Sequence, residues 1–228
     1  MSSVSTSSRA VLTISQDPSI VTVIERFKVP ANRKEEAIDI GKNHISQTWI
    51  NDPDFIGAAL LRGRDHDGIS CYAQWKRSGG NMTPDAPPAS QSMSALSTFK
   101  LLESRTFSMD FTEHAQAEVE PTQISMEKTP FVHYGLFSVK PENQNRVVDL
   151  GRGNSTQSMG TPGLLSISWH RSLDGKMIVN LGTWSNFDGL EQLSHQEGFK
   201  LDSDEVYWKG WADWKAELFD VVAVETRK

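Results

Sequence analysis

The feature that most constrains this chain is a segment it contains twice. Residues 164–184 read as two strands folded back on each other at Asp174-Gly175, since β-rich runs flanking an Asp-Gly pair form a hairpin. A diluted version occupies residues 55–75, and the tryptophans that close the two hairpins, Trp75 and Trp184, stand 109 positions apart. What precedes each hairpin is repeated as well. Ala37-Ile38-Asp39-Ile40-Gly41 is answered by Val147-Val148-Asp149-Leu150-Gly151 at an offset of 110, and Pro53 and Pro162 each introduce the strand pair. The loss of one residue between helix and hairpin reconciles the two offsets.

Taken in order, each half reads as strand, helix, hairpin, helix, strand. In the first, Val21, Val23, Glu25, Phe27 and Val29 alternate along one strand face. Ala37, Ile38, Gly41, Ile45 and Trp49 then recur at helical spacing over 33–50. Residues 78–92, rich in Gly, Pro, Ser and Asn, form a loop, followed by a short helix over 94–102 and a strand over 106–119. The second half predicts a strand at 131–139, a helix opened by Pro141, the hairpin, helices at 187–195 and 203–217, and a strand at 218–225. Residues 1–15 form a flexible tail with a short strand at 11–14, ahead of domains at 16–120 and 121–228. Helices on one face of each antiparallel sheet leave the opposite faces needing cover, and packing those faces together supplies it. The fold class is therefore α+β, with two antiparallel sheets face to face.

Bulk properties exclude some functions. A net charge of −6 without a Lys/Arg-rich run argues against nucleic acid or an anionic membrane as the main partner. No apolar run approaches the roughly 20 residues that span a bilayer, and the Ser-rich start lacks a secretory pattern. The lone cysteine, Cys71, suits a reducing compartment, so a cytoplasmic location is expected.

His170-Arg171-Ser172-Leu173-Asp174-Gly175, with Val179-Asn180 and Trp184, resembles the hairpin signature of antibiotic biosynthesis monooxygenases, and Tyr72-Ala73-Gln74-Trp75 resembles the other end of it. The resemblance spans both halves, from about residue 21 to 225. It implies two ferredoxin-like units of the dimeric α/β-barrel superfamily fused in one chain. It also implies oxygenation of phenolic, anthrone-type polyketides without metal, or, for a subset akin to angucycline ring-opening oxygenases, with reduced flavin (FADH2 or FMNH2). Dioxygen is the co-substrate in either case. The histidine, asparagine and tryptophan that line such pockets fall on His170, Asn180 and Trp184. The same positions in the first half are Leu61, Cys71 and Trp75, so the site is expected to be asymmetric, with its polar chemistry in the C-terminal half.

Oxygenation of a phenol calls for a base, an apolar slot, and donors for the developing oxyanion. Histidine titrates in the right range, and an asparagine amide and an indole N–H are donors. His170 and Asn180 sit on partner strands, while Asn180 and Trp184 are four apart on one face. Against this, His170 and Asn180 could equally be satisfied strand residues, and Trp75 and Trp184 core or cavity walls. His133 shares a face with Phe131, Gly135 and Phe137 and projects into a cavity or under a helix, depending on which face that is. Tyr72, an odd number of residues from Trp75, is a weaker substrate-binding candidate. Tyr207, Trp208, Trp211 and Trp214 make an aromatic stripe near helical spacing, suited to core packing or self-association. The expected partner is a hydrophobic aromatic small molecule. The competing readings are a non-catalytic carrier of such a molecule and an isomerase or cyclase on the same scaffold.

Overall fold

The computed structural model describes residues 10–77, 87–115, 121–190 and 208–227. Ten strands and two helices carry the architecture: β1 (Leu12–Thr13), β2 (Ile20–Lys28), α1 (Lys34–Gln47), β3 (Phe55–Gly63), β4 (Gly68–Lys76), β5 (Lys100–His114), β6 (Gln123–Ile124), β7 (Phe131–Val139), α2 (Gln144–Ser158), β8 (Leu164–Ser172), β9 (Met177–Trp184) and β10 (Ala212–Thr226). The α+β class and the barrel architecture are as expected, but the two sheets are not separate layers face to face: they join into one closed, eight-stranded antiparallel barrel in the order β10-β3-β4-β2-β5-β8-β9-β7. Within it the two halves repeat one strand order, β3-β4-β2-β5 and β8-β9-β7-β10.

Closure comes from the two 15-residue strands. The first part of β5 pairs with β2 and its second part with β8, while β10 pairs first with β7 and then with β3. Two separate sheets would each expose unpaired backbone at both edges, and running each last strand on into the other half removes all four edges. The tight β8–β9 turn follows from its chemistry. Gly175 takes φ +76°, and Asp174 Oδ1 accepts from Ser172 Oγ and from the Lys176 backbone N–H.

Alternation then sorts side chains into three cores. Inside the barrel lie residues of both halves, among them Ile24, Leu61, Tyr72, Phe107, Tyr134, Val179, Leu181 and Phe219. The small β1–β6 sheet adds Leu12, Ile14 and Ile124 to that interior. Outside it, α1 covers Val21, Val23, Phe27, Leu60, Cys71 and Trp75, and α2 covers Phe137, Trp169, Ile178 and Trp184. Among the described residues, no helix is long and apolar enough to cross a membrane.

Two local expectations need correction. Residues 94–102 are not a helix: Ser94–Leu96 make a single 3-10 turn, and β5 starts at Lys100. The helix expected at 203–217 fails over its last residues, since β10 begins at Ala212; residues 203–207 lie outside the described residues. Trp208 and Trp214 nevertheless touch, 5.1 Å between ring centres, because the chain turns between them. Most of the helix expected at 187–195 also lies outside the described residues, as does Tyr207.

The repeated glycines explain how close each helix sits. A Cβ on Gly41 would stand 2.9 Å from the flexible tip of Leu60, whereas one on Gly151 would overlap the Trp169 ring. Trp169 cannot retreat, being stacked on Phe111 and Phe137 and donating its N–H to Ser155 Oγ at 2.8 Å. Gly151→Ala is therefore expected to cost about 2 kcal/mol from overpacking, despite the better helix propensity of alanine. Gly41→Ala should be close to neutral. Urea unfolding of the two variants side by side checks the contrast.

Candidate active site

Register decides which of the candidate side chains meet. On the β8–β9 hairpin Trp169 stands opposite Asn180, and His170 opposite Val179. His170 and Asn180 are thus one step out of phase and point to opposite faces of the sheet. The structure does not bring the expected trio together.

His170 lies inside the barrel at 0% exposure. Its Nδ1 lies 3.2 Å from the Ser168 carbonyl, which only an N–H can satisfy, so Nε2 is left to accept from the Tyr72 hydroxyl at 2.9 Å. Tyr72 in turn accepts from Thr22 Oγ1 at 3.4 Å. Burial lowers the His170 pKa to about 4, against a weaker opposing pull from the Val179 and Ser168 carbonyls. Burial likewise pushes the Tyr72 phenol up. This is a fully partnered neutral network that ties the two halves together across the interior.

Asn180 and Trp184 share the outer face of β9, beneath the helical layer, and there they meet His133. The Trp184 indole N–H donates to His133 Nδ1 at 2.8 Å. A neutral imidazole that accepts at Nδ1 carries its proton at Nε2. Desolvation lowers the His133 pKa to about 4, and the neighbouring Asn180 side chain pulls it partly back. The Asn180 Oδ1 is buried without a hydrogen-bond partner, in a residue only 7% exposed. Buried polar atoms are rarely left so. His133, by contrast, is deep but keeps partial solvent access, which puts it at the edge of this layer rather than at its centre.

Two glycines lie beneath these side chains and let them pack close to the sheet. Gly135 stands opposite Asn180 and Gly182 opposite His133. A Cβ on Gly182 would collide with the His133 ring, and one on Gly135 would come within 3.3 Å of Asn180, Phe137 and the Trp214 indole nitrogen. Glycine inside a strand commonly marks such a close approach, and that signal was present in the sequence.

The equivalent surface of the first half is closed. Val23, Glu25, Cys71 and Ala73 occupy the places of His133, Gly135, Asn180 and Gly182. The Glu25 carboxylate accepts from Ser92 Oγ, Ser104 Oγ and the Met93 backbone N–H, drawing Met93 and Leu96 into the apolar layer under α1. Trp75 is packed there against Trp49 and Phe55 with its indole nitrogen unpartnered. Burial, reinforced by Glu25, holds the Cys71 thiol well above its ordinary pKa, so the thiol stays protonated.

A separate open cleft of about 400 Å³ lies at a barrel end, on the other face of β9 from Trp184. Its polar groups largely bond one another, Ser166 to Thr183 at 2.6 Å and His114 to Thr122 at 2.9 Å. The orphaned Asn180 oxygen therefore makes the outer crevice the better candidate. Among the described residues, no group of three or more side chains is arranged to hold a metal ion.

No family model matches the chain, and no curated protein matches it either. Solved structures do. An anthrone oxidase-like protein superposes with a TM-score of 0.71 over 95% of this chain and 96% of its own, at 17% identity. A protein provisionally described as a monooxygenase, from Fusobacterium nucleatum, gives 0.59 over 92% and 95%, at 13% identity. A ferredoxin-fold protein from Listeria monocytogenes, described as related to antibiotic biosynthesis monooxygenases, gives 0.50 over 89% and 95%, at 8% identity. At these identities the likeness is one of fold. The chain shares its fold with these proteins, and a fold of this kind hosts more than one chemistry.

Proposed function

We propose that this chain is an oxygenase that takes a phenolic polycyclic aromatic, of the anthrone or angucycline-like polyketide kind, into the outer crevice of its C-terminal half. Two ferredoxin-like units in tandem would then divide the labour, one carrying the site and the other closing the barrel. The observation that carries the reading is the orphaned Asn180 Oδ1 on the same sheet face as His133, whose free N–H is Nε2. A phenolic hydroxyl satisfies both at once, donating to the amide oxygen and accepting from the imidazole.

The proton inventory assigns roles. With Nδ1 occupied by Trp184 and a pKa near 4, His133 donates and does not act as a base near neutral pH. As the substrate hydroxyl ionises, the His133 N–H stabilises the oxyanion in a site of low dielectric. Trp184 fixes the tautomer, and the proton leaves through the solvent-facing side on which His133 stands. The electron-rich anion then reduces dioxygen. Conversion of a CH2 to a ring carbonyl balances without another reductant: one oxygen atom is retained and the other leaves as water with the two hydrogens. His170 has no part in the scheme, because both its nitrogens are engaged inside the barrel. Reduced flavin would supply electrons for a ring-opening outcome. The amide, imidazole and indole at the hydroxyl-binding end offer no cation for its phosphate.

Oxygen consumption with an anthrone, with and without added reduced flavin, tests the reading. One oxygen per quinone formed, with no flavin requirement, is the expected result. Quenching of tryptophan fluorescence by the anthrone without oxygen uptake would instead identify a carrier, and product formed without oxygen an isomerase or cyclase.

A further inference from the structure

Each half reaches over the other with the tip of its hairpin. In the second half, Leu173 N–H donates to the Thr106 carbonyl at 2.9 Å and Asp174 pairs with Arg105. In the first, Arg64 N–H donates to the Leu218 carbonyl at 3.0 Å, and its Nη1 donates to Asp220 Oδ1 at 2.8 Å. Arg64 and Leu173 are the same position of the repeat, so the two tips differ in what they carry. The tip that bears the guanidinium is the one lying over the half that holds the polar crevice.

Its surroundings lead directly to that crevice. The guanidinium carbon stands 5.2 Å from the ring centre of Phe131 and 5.0 Å from that of Phe187, two rings themselves 4.5 Å apart. Phe187 lies 6.2 Å from Trp184, and Phe131 precedes His133 by two residues on the same strand face, about 7 Å along the strand. The first half therefore places a cation one aromatic ring away from the His133–Trp184 pair. We propose that Arg64 is a specificity-determining residue for the site in the other half, selecting aromatic ligands that carry an anionic substituent one ring beyond the hydroxyl held at Asn180. This rests on the crevice being the site, as proposed above.

The side chain is suited to the task. Contact with two aromatic faces holds the guanidinium in place before a ligand arrives, which reduces the ordering cost of binding. It is 48% exposed, and of its five N–H donors the Nη1 group is spent on Asp220, itself shared with Arg62 at 3.6 Å. Arg62 is paired in addition with Glu35, so the cluster is balanced in charge and selects through directed donors rather than through a diffuse positive field. It also gives a physical use for keeping both halves in one chain: the site draws a residue from each.

Tryptophan quenching titrations of the full chain with 2-naphthol and with 6-hydroxy-2-naphthoate test this, since the probes share a ring system and differ in one carboxylate, carried on the ring beyond the hydroxyl. Arg64→Gln is expected to weaken the naphthoate about tenfold, the loss of one directed charge-assisted contact, and the naphthol less than twofold. Arg64→Lys, which keeps the charge but not the fork, should fall between. Equal losses for the two probes, or none, would overturn the inference. Asn180→Ala separates this from the underlying reading: it should weaken both probes, and no effect on either would overturn the crevice as the site, and the role of Arg64 with it. If Asn180→Ala weakens both while Arg64→Gln changes nothing, the inference alone falls.

Discussion

Asn180→Ala is expected to leave the barrel folded and to lower the rate of oxygen uptake about 100-fold, because the acceptor that positions the substrate hydroxyl against His133 is lost. The prediction is sharp because Asn180 contributes little to the resting fold: its Oδ1 has no partner to lose. Truncation removes an amide from the side chains that lie over Gly135 and Gly182, so urea unfolding should shift by less than about 1 kcal/mol. His170→Phe should show the opposite profile. It leaves the Tyr72 hydroxyl without its acceptor inside the barrel, at a cost of about 1–3 kcal/mol in stability, while turnover per folded molecule stays near that of the parent chain. Initial rates and unfolding curves on the two variants decide the matter. A rate lost in His170→Phe and retained in Asn180→Ala would move the chemistry into the barrel interior and sink the outer site.

The contrast between those two residues also shows where the sequence was legible and where it stopped being so. The offsets of 109 and 110 located both hairpins, both helices and the positions equivalent between halves, because insertions that break a repeat are visible as changes of offset. The same-face relation of Asn180 and Trp184 followed from strand alternation and holds. The relation between His170 and Asn180 did not, because neighbours across a hairpin share a face only when the turn sets them in phase. Here Arg171 meets Ile178, which puts His170 against Val179 and turns Asn180 outward. Counting outward from the Asp174-Gly175 turn would have exposed the conflict. Tyr72 ranked as a weaker substrate-binding candidate for being out of phase with Trp75, and that parity is correct: it places Tyr72 inside the barrel, where it meets His170.

Other features were hidden for longer-range reasons. The stripe Trp208, Trp211, Trp214 has helical spacing, yet Trp214 belongs to a strand, because β10 must run far enough to pair with both β7 and β3. Tertiary closure overrode a local pattern. The substitution of Glu25 and Cys71 for Gly135 and Asn180 was visible as a difference between halves. That Glu25 anchors the Ser92–Met93 backbone, and so fills its own cleft, depends on a loop folding back across a distance that periodicity does not encode. The asymmetry was legible, and its cause was not.

Acid should destabilise the fold well before its carboxylates titrate. His170 and His133 are both neutral in the folded chain with pKa values of about 4, against 6.5 for an ordinary histidine, and burial is the larger cause in each. Between those two values the unfolded chain binds protons that the folded chain refuses. Stability is therefore fully present above about pH 6.5, and it declines as pH falls from 6.5 towards 4. At about 1.4 kcal/mol per unit, His170 alone accounts for a loss on the order of 3 kcal/mol over that window. His133, partly reached by solvent, adds a smaller share, and His44 and His114, also lowered by burial, act in the same direction. Glu217 belongs to a lower window. Burial raises its carboxyl but Arg26 and Lys215 outweigh that, so its contribution is present at and above ordinary carboxylate pKa values and fades only below them. Urea unfolding at half-unit steps from pH 7.5 to 4.5 resolves the two. In the parent chain the unfolding free energy should fall continuously below pH 6.5. His170→Gln, which cannot take up the proton, should start lower at pH 7.5 and fall with a visibly shallower slope. An unchanged slope in that variant would mean that the His170 ring already protonates in the folded chain, and that the Tyr72–His170 bond is not the closed, neutral contact on which the interior depends.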